Sequence, residues 1–172
     1  MSWNETLSAA DERWSARLRI ADRPGGLHTV SKFLAHSGDS WFWIAGLIVV
    51  WFVATPIWKY RAAVIVVGII GTAVLVQILK LAFRRERPQG EWGAIYRKTD
   101  PHSFPSGHAA RAGLLLGLSL WLGPAWFAAV LLFWTPLMPL SRVAMGVHYV
   151  LDIAAGFIFG FLISIGVGLA LA

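Results

Sequence analysis

Apolar positions in this chain fall in long blocks. Five of them, 41–57, 62–83, 106–122, 125–147 and 149–172, are apolar around their whole circumference. A bilayer core takes roughly 17 to 25 mostly apolar residues per helix, and a soluble bundle would need polar faces that these blocks lack. The pattern predicts an all-α integral membrane helical bundle with five transmembrane spans. WKYR at 58–61 and Gly123-Pro124 make the tightest connections, and a polar loop is expected over 89–102.

The first 40 residues hold no apolar run long enough for a span or a signal peptide. Trp3, Leu7, Ala10, Trp14 and Leu18 recur at helical spacing, with Glu5, Asp11, Glu12, Arg13, Arg17 and Arg19 over the remaining surface. This predicts an N-terminal amphipathic helix lying in the membrane interface; a helix packed on the bundle fits the same pattern. DRPGG at 22–26 ends it, and a second short helix over 27–36 leads to SGDS and the first span. There is no internal repeat or linker, so residues 1–172 form one membrane-embedded domain, with 1–40 as its interfacial segment.

Composition narrows the reading. Hydrophobic residues make up 57% of the chain. Trp41, Trp43 and Trp92 are expected at one interface and Trp58, Trp121 and Trp126 at the other, with Trp51 and Trp134 packed inside. The net charge of +6 points, in so apolar a protein, to anionic headgroups or a phosphorylated substrate rather than nucleic acid. With no cysteine there is no disulfide framework.

Alternating the spans brings every unusual polar cluster to one face. Lys80, Arg84 and Arg87 share a helix face if the helix persists so far, although Pro88 disfavours helical geometry at Arg87. Arg84, Arg85, Arg97 and Lys98 read as basic anchors snorkelling to headgroups. PSGH puts Ser106, Gly107 and His108 at a helix start, where free N–H groups and the helix dipole favour an anion; taken alone, the tetrapeptide is equally an ordinary helix cap. Ser141-Arg142 precedes His148 and Asp152, which stand one turn apart on the fifth span. That pair is either a satisfied buried contact or an imidazole held in one tautomer by its carboxylate.

Together these residues make one site of three cations, Lys80, Arg87 and Arg142, a helix N-terminus, two histidines and a single paired carboxylate. Arginine forks match phosphate oxygens and lysine adds point charge. One histidine can attack phosphorus and the other can protonate the departing oxygen. No carboxylate cluster is available for a metal, so metal-independent, cofactor-free phosphoryl transfer to water is expected. Arg111, one turn inside the third span, is either an outer phosphate ligand or, the favoured reading, a structural partner for Asp152 or a loop acid. His28, His36 and His102 are expected to be solvated or capping, with His102 also close enough in sequence to contact a headgroup.

Lys80 with six residues before Arg87-Pro88, PSGH, and Ser141-Arg142 with five residues before His148 and three before Asp152 resemble the full signature of the type 2 phosphatidic acid phosphatase superfamily. The resemblance covers about half the chain. It implies a phosphatidic acid phosphatase/haloperoxidase-like core, and a phosphohistidine at His148 oriented by Asp152. His108 would be the general acid, and Lys80, Arg87, Ser106, Gly107 and Arg142 would bind phosphate. Membrane members usually have six spans; here an interfacial segment stands where the first would be. The filler residues look most like the small polyisoprenoid phosphate and diphosphate phosphatases, so the expected partners are a membrane lipid phosphate and the bilayer. The alternatives fare worse. A soluble haloperoxidase would not carry five apolar spans, and a non-catalytic lipid-phosphate binding or transport protein would not need His148 beside Asp152.

Small residues repeat every fourth position at Asp152, Gly156, Gly160, Ser164 and Gly168, and at Ala109, Gly113 and Gly117. They predict close packing of spans three and five within one chain; a homodimer seam is the rival. Outside the site, Arg13, Arg17, Arg19, Arg23, Lys32, Arg84, Arg85, Arg97 and Lys98 lie on the site's face, against Lys59 and Arg61 opposite. The positive-inside rule favours the cytoplasmic face of the inner membrane for the site, whereas many bacterial relatives in the superfamily the chain resembles work on the outer face.

Overall fold

A computed structural model describes residues 3–172, excluding the side chains of residues 3–5, 91, 93 and 95. The expected roles of Trp3 and Glu5 therefore lie outside the described residues. Regular structure among the described residues is helical throughout, apart from one bridge between Glu86 and His102. The helices are α1 (Trp3–Leu18), α2 (Gly26–Ser37), α3 (Ser40–Val53), α4 (Pro56–Phe83), α5 (Glu91–Thr99), α6 (Gly107–Leu122), α7 (Ala125–Ala144) and α8 (Val150–Leu171).

α4, α7 and α8 are each long and apolar enough to cross a membrane, and α2 with α3 would make a fourth span bent by 57°. The five expected spans also counted α3 and α6 separately. At 14 and 16 residues these reach only about 21 and 24 Å at 1.5 Å per residue, short of a roughly 30 Å hydrocarbon core. α6 is the central helix, buried from Ala109 to Ser119.

The small-residue stripes hold α6 against α8, as expected. A Cβ on Gly160 would overlap the Ala110 carbonyl, one on Gly113 the Phe157 carbonyl, and one on Gly117 the Ser164 side chain. Backbones this close leave no room for larger residues, so both stripes are consumed inside the chain. Ile65 and Ile69 of α4 close the other side of α6 against Leu114, Leu115 and Leu118.

The N-terminal helix turns two polar residues inward and leaves Glu12, Arg13 and Arg17 exposed. Leu7, Trp14 and Leu18 are exposed, whereas Asp11 and Ser15 are buried. The reason is the start of α8, whose first N–H groups have no partner within their own helix. Ser15 Oγ accepts from the Val150 N–H at 3.0 Å, and Asp11 Oδ1 from the Leu151 N–H at 3.0 Å. Asp11, expected on the open surface, is thus an internal cap. The outward apolar stripe suits a helix lying in the interface.

Three further expectations change. Residues 91–99 are a helix, because Trp92 and Tyr96, one turn apart, pack on Ala35, Met145 and Val147. Trp43 is not a belt residue: its indole donates to the Ser37 carbonyl at 3.0 Å, beside Trp134. Trp51 is 45% exposed rather than packed inside.

Candidate active site

α4 stops at Phe83 because Arg84 turns into the left-handed region, φ 49°. Arg84 is thereby turned away from the face it was expected to share with Lys80 and is exposed, its Nε donating to the Leu81 carbonyl. Arg87 instead arrives on an irregular segment and enters the bundle. Its Nη1 donates to the Val147 carbonyl at 3.0 Å and lies 3.2 Å from His148 Nε2.

Lys80, Arg87, Gly107, His108, Arg111, Arg142 and His148 line one cavity of about 180 Å³, with Tyr96 and Asp100. Helices α4, α5, α6 and α7 and the segments that follow α4 and α7 converge on it, as the alternation of spans requires. Lys80, Arg87, Arg142 and His148 are all nearly inaccessible. Three buried cations around so small a space favour a compact anion.

Ser106 is the N-cap of α6, its hydroxyl accepting from the Ala109 N–H at 3.4 Å. Its own N–H donates to the Asp152 carbonyl at 3.0 Å, which ties the start of α6 to the first turn of α8. Gly107 faces the cavity, and a Cβ there would meet nothing closer than Val76 Cγ1 at 3.6 Å. The protein itself therefore leaves that space open to whatever the cavity holds.

The His148 imidazole is buried, and that burial, followed by the charges of Arg87, Arg142 and Lys80, holds its pKa well below the usual histidine value. It is a neutral base whose Nε2 faces the cations. Nδ1 lies 3.5 Å from Asp152 Oδ2, looser than a hydrogen bond. Asp152 has other partners: Oδ1 accepts from Arg85 Nη1 at 2.8 Å, and Oδ2 from the Tyr149 N–H at 2.8 Å.

Arg85 does not snorkel. Its second nitrogen, Nη2, donates to Asp11 Oδ2 at 2.7 Å, so one guanidinium joins the N-terminal helix to Asp152. Arg97 is also engaged, clamping the Pro88 and Gly90 carbonyls. Arg111 lines the cavity and donates to the Gly38 carbonyl and the Ser40 hydroxyl rather than to Asp152 or a loop acid. His36 bonds Asp39, and His28 stands edge-on to Trp92.

The expected single carboxylate is an undercount. Asp100 places Oδ2 against both Lys80 Nζ and Arg87 Nη2, the latter at 2.7 Å, and its carbonyl accepts from Arg87 Nε at 2.7 Å. Tyr96 covers both arginines with its ring, and its hydroxyl accepts from Arg142 Nη1 at 3.1 Å. Asp39 Oδ1 lies 2.7 Å from His108 Nε2. Asp100 and Tyr96 sit in a stretch whose many polar residues mask them. Asp39 had a visible signal, since it is the only acid between Asp22 and Glu86.

The family model of the PAP2 superfamily matches residues 61–170. The chain belongs to the PAP2 superfamily. Decaprenylphosphoryl-5-phosphoribose phosphatase of Mycobacterium tuberculosis is 32% identical over 145 residues, which cover 82% of this chain and 78% of that protein. Among solved structures, the PAP2 type phosphatidylglycerolphosphate phosphatase of Bacillus subtilis superposes with a TM-score of 0.76 at 23% identity, over 94% of this chain and 84% of that one. Aquifex aeolicus LpxE gives 0.65 at 23% identity, over 86% and 89%. These two share the fold. The protein is an integral membrane enzyme, a lipid phosphatase of the PAP2 type.

Proposed function

We propose that the protein hydrolyses a phosphate ester or diphosphate on a polyprenyl lipid through a phosphohistidine at His148. The observation that carries this reading is the cavity itself: a neutral imidazole whose Nε2 faces a buried guanidinium, with Lys80 and Arg142 beside it. The substrate phosphate takes the place of the Asp100 carboxylate on Lys80 and Arg87, with Arg142 and the Gly107 and Ser106 end of α6 completing its cradle. His148 Nε2 attacks phosphorus while the cations stabilise the charge that builds on the equatorial oxygens. Asp152, on the Nδ1 side, stabilises the ring as it becomes positive. His108 gives the leaving oxygen its proton, and water then attacks the phosphohistidine to release phosphate.

The prenyl assignment rests on the mycobacterial relative, whose name gives a decaprenyl-linked phosphoribose as its substrate. Phosphate release by purified protein, across a panel of prenyl and glycerol lipid phosphates with and without EDTA, tests it. Prenyl substrates should be turned over fastest and EDTA should change nothing. A glycerolipid preference removes the prenyl reading, and strict dependence on added metal removes the mechanism.

The cytoplasmic orientation is proposed on fewer charges than the sequence offered. Arg19, Arg85 and Arg97 hydrogen-bond groups in other segments of the chain. Arg13, Arg17, Arg23, Lys32, Arg84 and Lys98 remain, against Lys59 and Arg61. The excess keeps its sign. A C-terminal reporter that works only in the cytoplasm should be silent, and a strong signal reverses the orientation.

A further inference from the structure

α6 reaches back to the break between α2 and α3 with two side chains, three residues apart. Arg111 holds the break's backbone through the Gly38 carbonyl and the Ser40 hydroxyl. His108 Nε2 meets Asp39 Oδ1 at 2.7 Å, and Asp39 Oδ2 is bound by His36 Nδ1 at 3.1 Å. Gly38 is pressed against the same ring: a Cβ there would lie 3.1 Å from His108 Cδ2 and 2.6 Å from Met138 Sδ. The carboxylate is therefore fixed by its neighbours on both sides, and the glycine lets the break come this close.

The charged groups around His108 make a carboxylate necessary. Arg111 from its own helix and Arg142 from α7 both oppose a second positive charge, and Asp39, backed by His36, is the anion that faces it. A proton donor needs a stable imidazolium before transfer. A carboxylate in hydrogen-bond contact favours that form against burial and the two arginines, and fixes which ring nitrogen points at the substrate.

The geometry points to Asp39 as the positioning residue for the leaving-group acid His108. With Nε2 held on Asp39, the ring presents Nδ1 to the leaving oxygen. As the Nε2–P bond forms at His148 and the P–O bond breaks, the His108 Nδ1 proton passes to the departing alcohol. The attacking water later returns a proton to that nitrogen, and the Nε2–H stays on Asp39 throughout. Asp39 itself touches no substrate. This inference rests on the acid role proposed for His108.

The test compares 4-nitrophenyl phosphate, whose leaving group needs no proton, with benzyl phosphate, whose leaving group does. The purified full chain carries Asp39→Asn, Asp39→Glu or His108→Gln. The readout is the ratio of kcat/KM on the two substrates, which does not depend on how much of each variant is folded. General acids contribute about 10²–10⁴-fold, so His108→Gln should shift the ratio toward the nitrophenyl ester by that order, and Asp39→Asn by about tenfold or more. Asp39→Glu should recover part of the shift. If His108→Gln moves the ratio and Asp39→Asn leaves it at the parent value, the inference is overturned and the acid reading stands. If neither moves it, the acid reading falls and takes the inference with it.

Discussion

His148 and His108 enter one cavity from different elements, and the side chains they touch there carry opposite charge. Around His148 the nearest polar neighbour on the cavity side is Arg87, at 3.2 Å, with Asp152 standing off at 3.5 Å. His108 has a carboxylate at 2.7 Å. The first setting keeps a ring neutral with a lone pair free; the second holds one ring nitrogen on a carboxylate, within reach of Arg111 and Arg142. In the proposed reaction two identical side chains are thus given nucleophile and acid roles by the groups they contact.

Removing each ring is the sharpest way to break this comparison. His148→Ala should lose turnover on every substrate, by about 10⁴-fold or more, because no other group can form the covalent intermediate. Rapid acid quench of the parent should trap phosphate on His148. His108→Gln should hurt only esters with poor leaving groups. Equal losses in both variants on both 4-nitrophenyl and benzyl phosphate would erase the division of labour.

The two histidines also differ in how far their partners can be read from the sequence. Lys80, Arg87, Arg142 and His148 sit at spacings fixed by a helix turn or a short loop, and alternating spans brought them together without tertiary detail. The α6–α8 contact was readable for a related reason: a small residue at every fourth position has few uses besides close approach. Asp39, Asp100 and Arg85 were not readable, because their partners in the site lie 13 to 74 residues away along helices whose bends no periodicity encodes. The inward turn of Asp11 was hidden for the same reason. Amphipathicity says that two faces differ, but not which one finds a partner.

Arg85 tests the His148 side at one remove. Its guanidinium neutralises Asp11 and Asp152, both fully buried. Arg85→Gln leaves those carboxylates short of charge, and breaking a buried pair costs about 3–5 kcal/mol. Thermal stability in detergent should fall clearly, along with kcat. Arg84→Gln, one residue away and exposed, should change neither. Asp11→Asn combined with Arg85→Gln should cost less than the two single changes added, since they remove one network. Full additivity would mean that the bridge is not energetically coupled.

The neutral state of His148 makes a prediction about pH. A nucleophilic imidazole is active when unprotonated, so activity falls as pH drops through its pKa. Burial and then Arg87, Arg142 and Lys80 lower that pKa, so the acid limb of kcat/KM should lie below the ordinary histidine value of about 6.5. The substrate's own second ionisation has to be allowed for. Lys80→Met removes one of the three charges and should move the limb upward, whatever it does to affinity. A limb at or above the ordinary value in the parent would mean that the cations do not set the state of this ring.

The smallest effect expected concerns Asp100, and it runs toward tighter binding. Lys80 and Arg87 are occupied by the Asp100 carboxylate, so an incoming phosphate has to displace an anion already held by two cations. Asp100→Asn keeps the shape of the side chain and removes the competing charge. A charge-assisted hydrogen bond contributes about 1.5–3 kcal/mol, but the amide keeps part of the contact and the dianion brings its own bonds, so the net gain is smaller. Inorganic phosphate and vanadate should inhibit Asp100→Asn at several-fold lower concentration than the parent, and KM should fall with them, while kcat stays level or drops as product leaves more slowly. Weaker inhibition by both anions would show the reverse relation, with Asp100 holding Lys80 and Arg87 in place for phosphate.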